Sequence, residues 1–157
     1  MLDDDLLFSN YSFPEWFLCA HAVIRTGAAI ATLYATLGDE GLKFGIDETK
    51  ATILVTSEEL LVRLPRLLYT GMKHLIYFPT LQKPTPKPPA ALAELQAANT
   101  QISFISYAEL MALGARSKAP SYSLATTRIT PETPAVILYT SGSTGKPKGR
   151  RRRTLLW

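Results

Sequence analysis

The chain has a single cysteine, Cys19, and only two histidines, His21 and His74, among its 157 residues. A lone cysteine cannot close an internal disulfide, and so few soft ligands exclude a zinc cluster of the Cys/His type. Cys19 is read as a small buried residue that fits a reducing compartment. His21 falls on the same predicted helix with no acid or nucleophile beside it, and both histidines are read as packing or surface residues. The positive opening of a secretory signal is also missing, since MLDDDLL begins with three consecutive aspartates. No apolar run reaches membrane length uninterrupted: His21, Arg25 and Gly27 break the stretch from Trp16 to Leu37, which is read as a buried helix followed by a strand. General basicity is lacking too. Lysines and arginines number 17 against 13 acidic residues, a formal +4 for which Arg150, Arg151, Arg152 and Arg153 account entirely. Four adjacent arginines attract phosphate nonspecifically, but the sequence puts no recognition fold or aromatic platform beside them. No dedicated nucleic-acid role is expected, and 150–157 is read as a divergent Arg-rich tail.

What is present suits one domain or part of one, because 46% apolar residues can fill a core at this length. Ser12 and Glu15 have capping-box spacing around Pro14, which predicts a helix running to about Ala31. Strands are predicted over Thr32–Thr36, Ala51–Thr56, Lys73–Phe78, Ile102–Tyr107 and the run Ala135–Leu138. Helices are predicted over Asp39–Thr49, from a Ser57 cap through Leu60, Leu61, Leu64, Leu67 and Leu68, over Ala90–Ala98, and over Glu109–Ala115. Pro65 should bend or end the second of these early. Near-continuous apolar strands separated by helices indicate an α/β fold, a largely parallel sheet with helices on both faces. Pro79–Pro89 (PTLQKPTPKPP) loses both periodicities and is read as a stiff Pro-rich loop, and 117–134 as a Ser/Thr/Pro-rich linker.

The most informative stretch is Tyr139–Gly149, YTSGSTGKPKG, which follows the apolar run AVIL. Glycines let successive backbone N–H groups turn toward one anion with no Cβ in the way. Thr140, Ser141, Ser143 and Thr144 offer hydroxyl donors, and Lys146 and Lys148 offer positive charge. The pattern predicts a strand that delivers a phosphate-cradling loop. It is not GxxxxGK[ST], because Lys146, Pro147 and Lys148 stand out of that register, which disfavours a P-loop hydrolase. Nor does Gly142-Ser143-Thr144 supply the G-x-S-x-G setting of a nucleophilic serine.

This segment resembles the phosphate-loop signature of the adenylate-forming (AMP-binding) superfamily. The text from Glu15 to Leu61, with its Glu-Trp helix and TLYATLG at Thr32–Gly38, is similar to eukaryotic long-chain fatty acyl-CoA synthetases. The resemblance runs from about Tyr11 to Gly149 and implies a partial N-terminal AMP-binding domain over 11–149. It implies ATP-dependent ligation of a long-chain fatty acid to CoA: a carboxylate attacks the α-phosphate of ATP with Mg2+ present, and the CoA thiol then displaces AMP. It also implies that Thr140, Ser141, Gly142, Ser143, Thr144 and Gly145 surround the β- and γ-phosphates, with Lys148 as the nearest long-range charge and Thr140 touching magnesium or its waters. None of these is a nucleophile, so no catalytic residue is assigned.

After Gly149 the chain departs from the family pattern, which places a strand leading toward a Thr-His pair there. The adenine-binding segment, the ribose-contacting aspartate, the hinge, the catalytic lysine and most of the fatty-acid tunnel have no counterpart in these residues. The chain is therefore read as a fragment, inactive alone, with an uncovered sheet edge. Full-length relatives often sit at the endoplasmic reticulum or other intracellular membranes, which implies a cytoplasmic-side location. Two other readings stay open: a nonenzymatic interaction protein using the Pro-rich loop or the Arg run, and a P-loop-like nucleotide hydrolase.

Overall fold

Among the described residues of the computed structural model, seven strands form one sheet in the order β5-β4-β3-β1-β2-β6-β7. The structure describes residues 6–9, 14–34, 36–68, 71–79, 90–117, 129–140 and 148–153. The strands are β1 (Leu6–Ser9), β2 (Ile30–Leu33), β3 (Ile53–Ser57), β4 (His74–Phe78), β5 (Ser103–Ser106), β6 (Pro134–Thr140) and β7 (Lys148–Arg153). The first six run parallel, and only β7 is antiparallel, to β6. The predicted α/β class with a largely parallel sheet is the one observed.

Alternation along the strands divides the apolar side chains between two layers. On one face Ala31, Leu33, Leu54, Leu75, Ile137 and Tyr139 pack against α2 (Asp39–Thr49), a 3-10 helix (Glu58–Arg66) and α3 (Ala90–Ala98). On the other, Ile30, Val55, Ile76 and Phe78 meet α1 (Pro14–Thr26) and α4 (Tyr107–Arg116). Helix α1 contributes buried Cys19 and Ala20 and half-buried Trp16, Val23 and Ile24, a stripe at three- and four-residue spacing. His21 lies on its exposed side against the ring of Phe17, centroids 4.3 Å apart. Among the described residues no helix is long and apolar enough to cross a membrane.

Several element boundaries differ from the sequence reading. Helix α1 ends at Thr26, because Gly27 takes the left-handed φ of 80° and its N–H donates to the Ile24 carbonyl at 3.0 Å. That turn moves β2 forward to Ile30–Leu33. The leucine-rich segment after Ser57 is 3-10 rather than α, with Pro65 inside it; proline has no N–H for an α-helical bond and crowds the preceding turn. Ser57 occupies the N-cap position but makes no side-chain capping bond. Helix α4 begins at Tyr107, two residues before its predicted start, behind a capping box. The Ser12 cap and most of the Pro-rich loop lie outside the described residues, as does 118–128 of the predicted linker. Two strands, β1 and β7, were not anticipated at all.

Candidate phosphate-binding edge

Strand β6 is held from one side by β2, through the pairs Ile30↔Val136, Ala31↔Ile137 and Thr32↔Leu138. Ala135, Ile137 and Tyr139 are buried, whereas Val136 is half-buried and Leu138 is 37% exposed. The strand is therefore anchored mainly through one face. It ends at Thr140, on the edge where all six parallel strands finish, which is the edge where parallel α/β sheets place their ligands. The chain switches direction there as well: β1 has β2 on one side and β3 on the other.

Beyond Thr140 the chain returns as β7, and the register pairs Thr140 with Lys148 and Tyr139 with Gly149. The two ends of the motif are thus brought directly opposite each other at the mouth of a β6–β7 connection. Ser141, Gly142, Ser143, Thr144 and Gly145 lie outside the described residues. Thr140 and Lys148 are the predicted site residues whose backbone the structure places, and it places them as neighbours. Among the described residues no group of His, Cys, Asp and Glu gathers to hold a metal.

The arginine run read as a tail continues the sheet. Arg150, Arg151, Arg152 and Arg153 stand opposite Leu138, Ile137, Val136 and Pro134, with a register irregularity between Pro134 and Val136. The physical reason is the free edge of β6, whose unpaired N–H and C=O groups accept any extended partner regardless of its side chains.

Other polar groups collect at the same sheet edge. Arg63 on the 3-10 helix donates through Nη2 to the Leu37 carbonyl at 2.6 Å and to Asp39 Oδ1 at 2.7 Å, tying the start of α2 to the 3-10 helix. Ser57 is fully buried at the end of β3, and its Oγ has no hydrogen-bond partner. At the far side, Ser106 and Glu109 cap α4 reciprocally: the Glu109 N–H donates to Ser106 Oγ at 3.2 Å, and Glu109 Oε2 accepts from the Ser106 N–H at 2.8 Å. That backbone bond, and then a second to Glu109 Oε2 donated by the Ser106 hydroxyl at 2.8 Å, hold the Glu109 carboxyl below the usual range. Burial, then the Glu109 and Glu58 charges, push the Tyr77 phenol up. Sequence reasoning missed this box, although the string Ser106-Tyr107-Ala108-Glu109 carries its S-x-x-E signal. A groove of about 340 Å³, lined by Phe104, Ile105, Glu109, Ala112, Leu113 and Arg116, opens beside β5. It lies at the opposite end of the sheet order from β6 and β7 and is not part of the phosphate edge.

The chain is similar to known proteins. A long-chain-fatty-acid–CoA ligase 2 of Schizosaccharomyces pombe is 30% identical over 147 residues, which cover 92% of this chain and 20% of the ligase. Long chain acyl-CoA synthetase 8 of Arabidopsis thaliana is 28% identical over 150 residues, covering 94% of this chain and 19% of the synthetase. The chain thus spans about a fifth of the length of these curated relatives. Among solved structures, the A-PCP didomain of carboxylic acid reductase from Segniliparus rugosus, in complex with AMP, superposes with a TM-score of 0.77 at 19% identity. The match covers 96% of this chain and 22% of that one, and it shows a common fold. The family profile of the AMP-binding enzymes matches residues 8–150. The strand, the turn and the sheet edge described above all fall within that match, and the chain belongs to the AMP-binding enzyme family.

Proposed function

We propose that this chain supplies the triphosphate-holding turn of an ATP-dependent ligase that joins a long-chain fatty acid to CoA through an acyl-adenylate. The observation that carries the reading is the Thr140↔Lys148 pair, which closes the neck of a Gly/Ser/Thr turn at the carboxyl edge of a parallel sheet. The names of the relatives, long-chain fatty-acid ligases of yeast and plant, support the substrate class.

In this reading the backbone and hydroxyl donors of Thr140, Ser141, Gly142, Ser143, Thr144 and Gly145 hold the β- and γ-phosphates, and Lys148 adds a cation. The Thr140 hydroxyl would hold the Mg2+ that accompanies the nucleotide, or one of its waters, and the ion would offset the charge of the phosphates. When a fatty-acid carboxylate attacks the α-phosphorus, the bond to the β-phosphate oxygen breaks and pyrophosphate carries away the negative charge. Donors already arranged around that leaving group stabilise the charge as it develops, with no reorganisation at the moment of reaction. The CoA thiol then displaces AMP. These residues orient phosphate and stabilise charge, and they form no covalent bond.

Phosphorus-31 spectra of Mg·ATP titrated with the protein test this. Broadening of the β and γ resonances ahead of the α, lost in Thr144→Val, supports the reading. Equal line widths throughout, unchanged by the variant, overturn it.

A further inference from the structure

The strand beside β6 runs into an aromatic residue that the reaction above does not use. Pairing proceeds from Ile30↔Val136 through Ala31↔Ile137 to Thr32↔Leu138. One step further along both strands, Leu33 and Tyr139 are both buried and belong to the same core layer. The step after that sets Tyr34 level with Thr140, which is itself the Cα partner of Lys148. Neighbouring strands lie about 4.8 Å apart, so the Tyr34 backbone stands roughly 5 Å from that of Thr140 and roughly 10 Å from that of Lys148.

Burial reverses at this step, from 2% exposure at Leu33 to 59% at Tyr34. Alternation turns Tyr34 away from the layer that encloses Leu33, so its ring adds little to the core. Its backbone is nevertheless held at a fixed place. The Leu37 N–H donates to the Tyr34 carbonyl at 3.0 Å, and the Leu37 carbonyl accepts from Arg63 Nη2 at 2.6 Å, which ties the turn after β2 to the 3-10 helix. Among the described residues the Tyr34 hydroxyl has no hydrogen-bond partner. An anchored, exposed tyrosine with an unengaged donor thus stands at the carboxyl edge of the sheet, one strand from the turn.

We propose that Tyr34 is a further phosphate contact, its phenol O–H donating to an oxygen of the β- or γ-phosphate of Mg·ATP; this rests on the reading of the adjoining turn as the holder of the triphosphate. An aromatic side chain reaches across one strand spacing, and a phenol is a donor at neutral pH. A hydrogen bond to an ionised acceptor is about twice as strong as a neutral one. Stacking on the base is the other use for an exposed ring, but the α-phosphate and the ribose separate the base from the β- and γ-phosphates. Tyr34 is level with Thr140 and Lys148, which are the ends of the phosphate turn. It adds a donor from a second strand to a set that otherwise comes from one stretch of chain.

Isothermal titration of the full chain with Mg·ATP and, separately, with Mg·tripolyphosphate tests this. Tyr34→Phe removes the hydroxyl alone and should raise the Kd for both ligands about ten-fold, equivalent to about 1.4 kcal/mol. Tyr34→Ala should weaken binding by the same factor and no more. The ring is exposed, so neither change opens the core. Wild-type affinity in Tyr34→Phe, a loss confined to Mg·ATP, or a much larger loss in Tyr34→Ala each overturns the proposal, the last two by placing the ring against the nucleoside. Thr144→Val separates the two readings. Binding that falls in Thr144→Val but not in Tyr34→Phe removes Tyr34 and keeps the turn, whereas binding unchanged in both variants removes both.

Discussion

Thr140 and Lys148 face each other as Cα partners at the open end of the β6–β7 pair. In the proposed function, a lysine at this place has a fixed backbone from which to reach the phosphates. Lys146 stands two residues earlier in the motif and lies outside the described residues. Lys148→Ala should raise the Kd for Mg·ATP about ten-fold, equivalent to about 1.4 kcal/mol, and Lys146→Ala should leave it nearly unchanged. Isothermal titration of both variants checks this, and an equal effect from the two lysines would remove the special place given to the neck.

Two helical glycines should respond in opposite directions to alanine. A Cβ on Gly45 of α2 would press on the buried Leu33 side chain, coming within 3.0 Å of Cδ1 and 3.3 Å of Cγ. Overpacking of about 1–3 kcal/mol outweighs a helix-propensity gain of about 1 kcal/mol, so Gly45→Ala should destabilise. A Cβ on Gly114 of α4 would meet nothing within 4 Å, and Gly114→Ala should stabilise by about 0.5–1 kcal/mol. Urea midpoints at constant slope decide the signs.

Much of the fold was legible because local signals and tertiary demands agreed. The apolar runs at 53–57 and 74–78 read as buried strands, and Ala90–Ala98 as a helix, within a residue or two of what forms. The errors have physical causes. The run Ala28–Ala31 has helical propensity, but Gly27 stops the helix before it. Strand β1 is only four residues, LLFS, too short for a period to show. The arginines of β7 carry no strand pattern, and their conformation comes from the edge they pair with. At the candidate site, composition singled out Tyr139–Gly149, whereas the pairing of Thr140 with Lys148 depends on β7 and could not be read from spacing.

Stability should depend on pH through the α4 cap. The Glu109 carboxyl is held below its ordinary value by the bonds to Ser106, so its contribution is present above the unfolded carboxylate pKa. It is lost as pH falls through the lowered folded value. Thermal melts of Glu109→Ala should lack this acid-side component; a parallel profile for both proteins would show that the cap contributes no linked protonation.

Cys19 should be a poor nucleophile despite being the single thiol. Burial, and secondarily the Glu15 charge, push its pKa to about 11 from 9.0, which leaves roughly a hundred-fold less thiolate near neutral pH. The sign follows for stability: the contribution is complete below the unfolded value and is lost as pH rises through about 11. Alkylation by iodoacetamide should be slow at pH 8 in the folded chain and quick in urea. Equal rates in the two states would mean the thiol is open to solvent.

The place of β6 beside β2 has a consequence for biogenesis. The pairings among β1 to β5 join strands within about fifty residues of one another, but Val136 must find Ile30 roughly a hundred positions earlier. Closing so long a loop is slow relative to local pairing. On a ribosome the growing polypeptide would therefore hold a five-stranded platform before the β6–β7 hairpin emerges. Pulsed hydrogen exchange during refolding should find amides of 135–140 protected after those of 53–57 and 74–78, so the part of the sheet proposed to meet ATP assembles after the strands that carry it.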